Sequence, residues 1–161
     1  MQNIPFVETH VDVLIPCSRG DAFALMSNLE QFPRFFTGFG PIPKVVRCEL
    51  VTPLPVRVGS KRLISNGDGS VLEEIVEIHE EDKEQRYRIE KGFVPPFSIL
   101  ISAAVGHWTF VAEGENTRVG WTYRFELSGA WAIPIAGLIV HVLFKRAMAR
   151  CLSNMQKALG G

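Results

Sequence analysis

Between residues 7 and 15, Val7, Val11, Val13 and Ile15 alternate with Glu8, His10 and Asp12, with Thr9 on the apolar side. This two-residue period predicts a half-buried strand. Pro16 ends it, and Ser18 followed by Asp21 resembles a helix N-cap with an acid three residues on. The pattern then becomes helical: Ala22, Phe23, Leu25, Met26 and Leu29 recur at three- and four-residue spacing, predicting a helix over 19–28. Pro33 breaks it, leaving room for another short helical turn around 29–36, before a Gly- and Pro-rich loop over 37–43.

Six extended segments follow, over 44–52, 59–66, 70–80, 84–92, 97–113 and 118–128. Turn-forming runs at 66–69, 80–83 and 114–116 join several of them as antiparallel hairpins. On one expected face stand Leu72, Val76 and Ile78, then Tyr87 and Ile89, Trp108 and Phe110, and finally Trp121, Tyr123, Phe125 and Leu127. The opposite face carries Glu73, Glu77, Arg86, Arg88, Thr122, Arg124 and Glu126 and is expected to meet water. His10, His79 and His107 share that outward parity. After Gly129 the period becomes helical almost to Gly161. A helical wheel puts Leu138, His141, Phe144, Met148, Cys151, Leu152, Met155 and Leu159 on one stripe facing the sheet, with Lys145 at its margin.

The expected architecture is α+β, with a curved antiparallel sheet around a long C-terminal helix and two short helices after the first strand. The chain has 161 residues and reads as a single domain spanning 1–161, long enough for one sizeable core. Its 17 basic and 17 acidic residues cancel, so no net field draws it to nucleic acid, which is not an expected partner. Cys17, Cys48 and Cys151 lack zinc-site spacing, and no metal is expected. The start of the chain lacks the pattern of a secretory signal, and the apolar stretch 130–144 is short for a bilayer span and contains Pro134 and His141. The cytoplasm is the expected location.

Local runs carry a family resemblance. Val13-Leu14-Ile15-Pro16 leads into Asp21-Ala22-Phe23-Ala24-Leu25-Met26-Ser27-Asn28, then Phe32-Pro33 and Phe35. Glu74-Ile75-Val76-Glu77 and Thr117-Arg118-Val119-Gly120-Trp121 come later. With the order of elements, these resemble the START/Bet v 1-like (SRPBCC) superfamily, specifically its polyketide cyclase/dehydrase-like branch. Where many relatives have Gly before the Thr of the last run, this chain has Asn116, which tolerates the same left-handed turn. The resemblance implies a helix-grip fold whose seven strands enclose a cavity for lipids, polyketides, sterols or quinones. It implies no particular chemistry.

His141 is the only imidazole on the predicted gripping stripe, where it could contact a ligand or exchange a proton near neutral pH. The bland alternative is a structural hydrogen bond. Glu74 shares the inward parity of Leu72 and Val76. Buried there, it requires an Arg or Lys, a Tyr or Trp donor, or a proton; a β-bulge would instead turn Glu73 inward. Val76, Tyr87, Trp108, Trp121, Tyr123, Phe144 and Met148 are the expected apolar lining of a cavity of at least ~300 Å³, the lower end for ligand sites. Their alternative role is core packing. No nucleophile elbow, metal motif or phosphate loop is present, and no cofactor is implied.

The leading reading is a binder or carrier of a hydrophobic molecule. The alternatives are a cofactor-independent cyclase, aromatase or dehydratase using His141 or Glu74 as general acid or base, and a docking module. Docking rests on Ile139, Val140 and Leu143, apolar positions off the sheet-facing stripe, with Phe36 and Phe39 in a Phe-rich loop and Lys145, Arg146 and Arg150 nearby. A second subunit or a membrane would cover them. A second Phe-rich loop, 92–97, is expected either to gate the cavity or to plug the core.

Overall fold

In the computed structural model, which describes residues 3–160, the strands are β1 (Phe6–Ile15), β2 (Val45–Leu50), β3 (Lys61–Asn66), β4 (Val71–Glu80), β5 (Glu84–Lys91), β6 (Ile101–Glu113) and β7 (Asn116–Leu127). They form one antiparallel sheet in the order β1-β7-β6-β5-β4-β3-β2. Helix α1 (Arg19–Ser27) follows β1, capped as expected by the Ser18 side chain, which accepts from the Asp21 N–H at 3.1 Å. A 3₁₀ turn, Phe32–Arg34, uses Pro33 near its start, where a missing N–H costs nothing. The expected segment 97–113 divides: Phe97–Leu100 is a single helical turn, α2, and the strand starts at Ile101.

The inward side chains form rows across the sheet. One row is Arg62, Glu74, Ile89, Ala104, Phe125 and Val7; the next is Val76, Tyr87, Gly106, Tyr123 and Thr9. Gly106 is required in its row. A Cβ there would lie 2.2 Å from Tyr87 Cζ, so only glycine lets the Tyr87 ring lie across β6 toward Tyr123.

The third row is Gln85, Trp108, Trp121 and Val11, and here the strict alternation expected of β4 fails. The pairing shifts between Val76 and Ile78, where an extra residue opposes β5. Beyond this bulge the faces exchange. Ile78 pairs with outward Arg86, while His79 pairs with Gln85, which is buried at 1% exposure. His79 therefore packs on Phe23, ring centroids 5.7 Å apart, and meets Gln85 Nε2 through Nδ1 at 3.0 Å. The outward placement expected for His79 is corrected on this ground. On the convex face Arg88 makes a two-pronged pair with Glu126 at 2.8 and 3.0 Å, and holds that carboxyl below its usual range by hydrogen bonding.

The closing helix is continuous from Ala130 to Ala158 but not uniform. A 3₁₀ turn (Ala130–Ala132) leads into α3 (Ile133–Leu138), a π-helical segment (Ile139–Phe144) and α4 (Lys145–Ala158). Its length and apolarity would suffice to cross a membrane, but α4 buries Ala147, Met148, Cys151, Leu152 and Met155 against the sheet as a core helix does. Gln156 and Asn154 donate to the carbonyls of Leu14 and Phe35 at 2.9 Å each, fixing the helix to β1 and to the end of the 3₁₀ turn.

The π segment changes which residues face inward. In an α-helix each four-residue step overshoots a full turn by ~40°, so an inward stripe drifts off positions four apart. Bonds from i to i+5 take up an extra residue per turn and cancel that drift. Val140 and Met148, eight residues apart across the segment, are both buried as a result, Val140 in line with buried Ala132 and Ala136. His141 is exposed.

Candidate functional site

Sheet and helix enclose a cavity of about 150 Å³. Its wall on β6 and β7 is aromatic. Trp108 and Trp121 stack with centroids 4.1 Å apart, and Tyr123 meets Phe144 edge to face at 4.8 Å. Phe32 and Phe36 stand edge-on to the Trp121 indole at 6.4 and 6.0 Å. These two rings also line the cavity, whose volume is half of the ~300 Å³ expected.

The wall on β3 and β4 is polar, at the turn through Asn66, Asp68 and Ser70 and, deeper, at one buried ion pair. Arg62 and Glu74 lie opposite each other on adjacent strands, 5% and 8% exposed, joined by Nη2–Oε1 at 2.8 Å. Arg62 Nη1 donates to Gln85 Oε1 at 2.9 Å, and the guanidinium sits 5.2 Å over the Tyr87 ring. Burial raises the Glu74 carboxyl above its ordinary value, with Arg62 opposing. The Tyr87 and Tyr123 hydroxyls are likewise raised, first by burial. Cys48 lines the same wall, its thiol pushed up to about 12 by burial and the nearby Glu74 charge. Two buried donors, Arg62 Nε and Trp121 Nε1, have no protein acceptor among the described residues. Such donors are costly unless a ligand or water satisfies them.

Among the lining residues Asp68 is exposed, and Pro43, Leu72, Phe93, Val94, Phe97 and Ile139 are among those only partly buried. The cavity therefore opens between the 37–43 loop, the β3–β4 hairpin, the 92–97 loop and the π segment. The rings of the second Phe-rich loop line this mouth.

Of the residues assigned to the lining from sequence, Glu74, Tyr87, Trp108, Trp121, Tyr123 and Phe144 border the cavity. Val76 and Met148 do not border it; both are buried in the core beside it. His141 faces solvent and is no part of the site, for the helical reason given above. The same phase change corrects the docking surface. Val140 is buried and lines the cavity, as does Ile139, and Leu143 packs against the loop at Gly40. Phe36 is in the core, and Phe39 is half-buried beneath Arg146 and Arg150. Arg62 was not foreseen, although the need of Glu74 for a basic partner was; nor were Asn66, Asp68 and Ser70, which also line the cavity at the β3–β4 turn. Among the described residues no cluster of His, Cys, Asp or Glu could hold a metal.

A seven-stranded antiparallel sheet gripping a long helix around an apolar cavity defines the Bet v 1-like helix-grip class. Residues 7–160 match the family described as polyketide cyclase/dehydrase and lipid transport, and the chain belongs to it. No curated protein matches the sequence. The fold is similar to that of Ara h 8.0201, at 14% identity and TM-score 0.71, covering 96% of this chain and 98% of that one. It is similar to the protein TTHA0849 from Thermus thermophilus, at 18% identity and TM-score 0.71, covering 95% and 97%. A norcoclaurine synthase point mutant from Thalictrum flavum, in complex with a transition-state analogue, shares 11% identity at TM-score 0.70, covering 99% and 97%. At these identities the likeness is one of fold.

Proposed function

We propose that this domain binds a small, largely apolar molecule bearing an oxygen acceptor, with its apolar part on the aromatic wall and its oxygen at the polar spot. The family and the fold support hydrophobic ligand binding or cyclase-like activity in general. The finer reading rests on one observation: an apolar cavity that holds a buried Arg62–Glu74 pair and two unsatisfied N–H donors. A cavity near 150 Å³ accepts a single aromatic ring, since engineered apolar cavities of about that size take up benzene. A longer lipid requires the Phe93 and Phe97 loop to swing out.

The test is native mass spectrometry of protein purified from its own host, followed by extraction of the bound molecule. Binding predicts a retained compound with a ring or short chain and a carbonyl, hydroxyl or carboxyl group. Protein free of any small molecule, and indifferent to added phenols, would contradict it. A catalytic reading keeps one of its two candidates: Glu74, whose raised carboxyl could exchange a proton with a ligand inside the cavity. Turnover of a bound ligand that stops in Glu74→Gln while binding persists would support it.

A further inference from the structure

Trp131, Ile135, Leu138 and Val142 are spaced four, three and four residues apart along the closing helix, and all are exposed, at 58%, 52%, 65% and 39%. They form one outward stripe, on the side of the helix away from Ala132, Ala136 and Val140. Among the described residues nothing buries them. Large apolar side chains occur singly on most surfaces, but a contiguous stripe of them marks a contact.

The surrounding charge indicates what makes that contact. Between Leu127 and Gly161 there is no Asp or Glu, whereas Lys145, Arg146, Arg150 and Lys157 are basic. The stripe thus begins at an indole and passes, one turn beyond Val142, into exposed Lys145 and Arg146. An apolar flank that carries a Trp, with cations and no acid beside it, matches a helix lying in the interface of an anionic lipid surface. A symmetric contact with a second copy would set this helix face against itself, and the helix offers no carboxylate to meet its own cations.

We propose that this stripe is a peripheral docking face for an anionic membrane, with the helix lying along the surface and Lys145 and Arg146 at the phosphate level. The proposal stands apart from the identity of the cavity's ligand. Its location still matters, because the opposite flank of the same π turns, Ile139, Val140 and Phe144, lines the cavity. Docking brings the cavity's helical wall to the bilayer.

The experiment is flotation of the full chain with vesicles of phosphatidylcholine containing about a third phosphatidylserine, beside vesicles of phosphatidylcholine alone. Binding to the anionic vesicles, weakened by high salt, is expected. Leu138→Asp should lower it about tenfold or more, the scale of removing one buried leucine. Lys145→Gln should lower it about fivefold, the scale of one basic residue at the surface. Trp108 and Trp121 are buried, so a blue shift of Trp emission on anionic vesicles that disappears in Trp131→Phe would place this side chain in the interface. Unchanged melting temperatures in these variants guard against unfolding. Failure to float on either vesicle, equal binding to both without a salt effect, or a dimer in sedimentation that Leu138→Asp dissociates would each overturn the proposal.

Discussion

The two walls of the cavity are built differently although they belong to one sheet. The β6–β7 wall is a run of aromatic side chains in stacked and edge-to-face contact, polar chiefly at the Trp121 Nε1 donor and the Tyr123 hydroxyl. The β3–β4 wall holds one buried ion pair whose atoms are fixed by neighbours, Arg62 between Glu74 and Gln85, with Gln85 held by His79. The aromatic wall gives the cavity its shape and dryness. The polar wall gives it an orientation, and a change there is felt as an unpaired charge.

Separating the partners of the polar wall should have the largest effect. Arg62→Met alone leaves Glu74 buried without its cation and should cost about 3–5 kcal/mol in denaturant unfolding, whereas Arg62→Met/Glu74→Leu should recover most of that loss. A double variant no more stable than the single would show that the pair does not act as a unit. Next comes the boundary between the walls. Gly106→Ala drives a methyl into the Tyr87 ring and should cost about 1–3 kcal/mol by overpacking. It should also reduce uptake of small aromatics.

The two carboxylates in contrasting settings should titrate with opposite signs. Glu74 has a raised value in the folded state, so its contribution is present at low pH and is lost as pH rises from the usual carboxylate range through its folded value. Glu126 is lowered by Arg88, so its contribution is present above the usual range and is lost as pH falls through its folded value. Stability of Glu74→Gln and Glu126→Gln relative to wild type, measured by urea unfolding from about pH 2 to about pH 8 (roughly the span where carboxylates titrate when shifted down or up), should diverge in these two directions. Parallel curves would contradict the assignment. The smallest effect belongs to His141→Ala, which should change stability by less than about 0.5 kcal/mol and leave ligand retention intact, as at an ordinary surface position.

The aromatic wall was legible in the sequence because β6 and β7 pair in unbroken register over most of their length, so that two-residue alternation names its residues. The polar wall was less so. Lys61 and Arg62 are adjacent basic residues, and only the register of β3 against Glu74 selects Arg62 as the inward one. The bulge in β4 that turns His79 inward has no local sequence mark. The helix was foreseen as an element but misread in phase, since a strict 3.6-residue wheel continued back from Met148 and Cys151 selects His141 and Leu138. The π segment instead buries Val140, and with it both a proposed site residue and a docking surface change places. The place of Phe32 and Phe36 in the cavity lining escaped the sequence for a related reason: it depends on the turn at Pro33, which pattern alone does not aim.

The most direct test of an oriented apolar cavity is a paired titration with toluene and p-cresol, equal in shape but for one hydroxyl, followed by the emission of Trp108 and Trp121. Wild-type protein should bind both and prefer p-cresol by about tenfold or more, the scale of one hydrogen bond to a buried charged group. That preference should vanish in Arg62→Met/Glu74→Leu while toluene still binds. If neither compound binds, or if the preference persists without the ion pair, the account of the site is wrong.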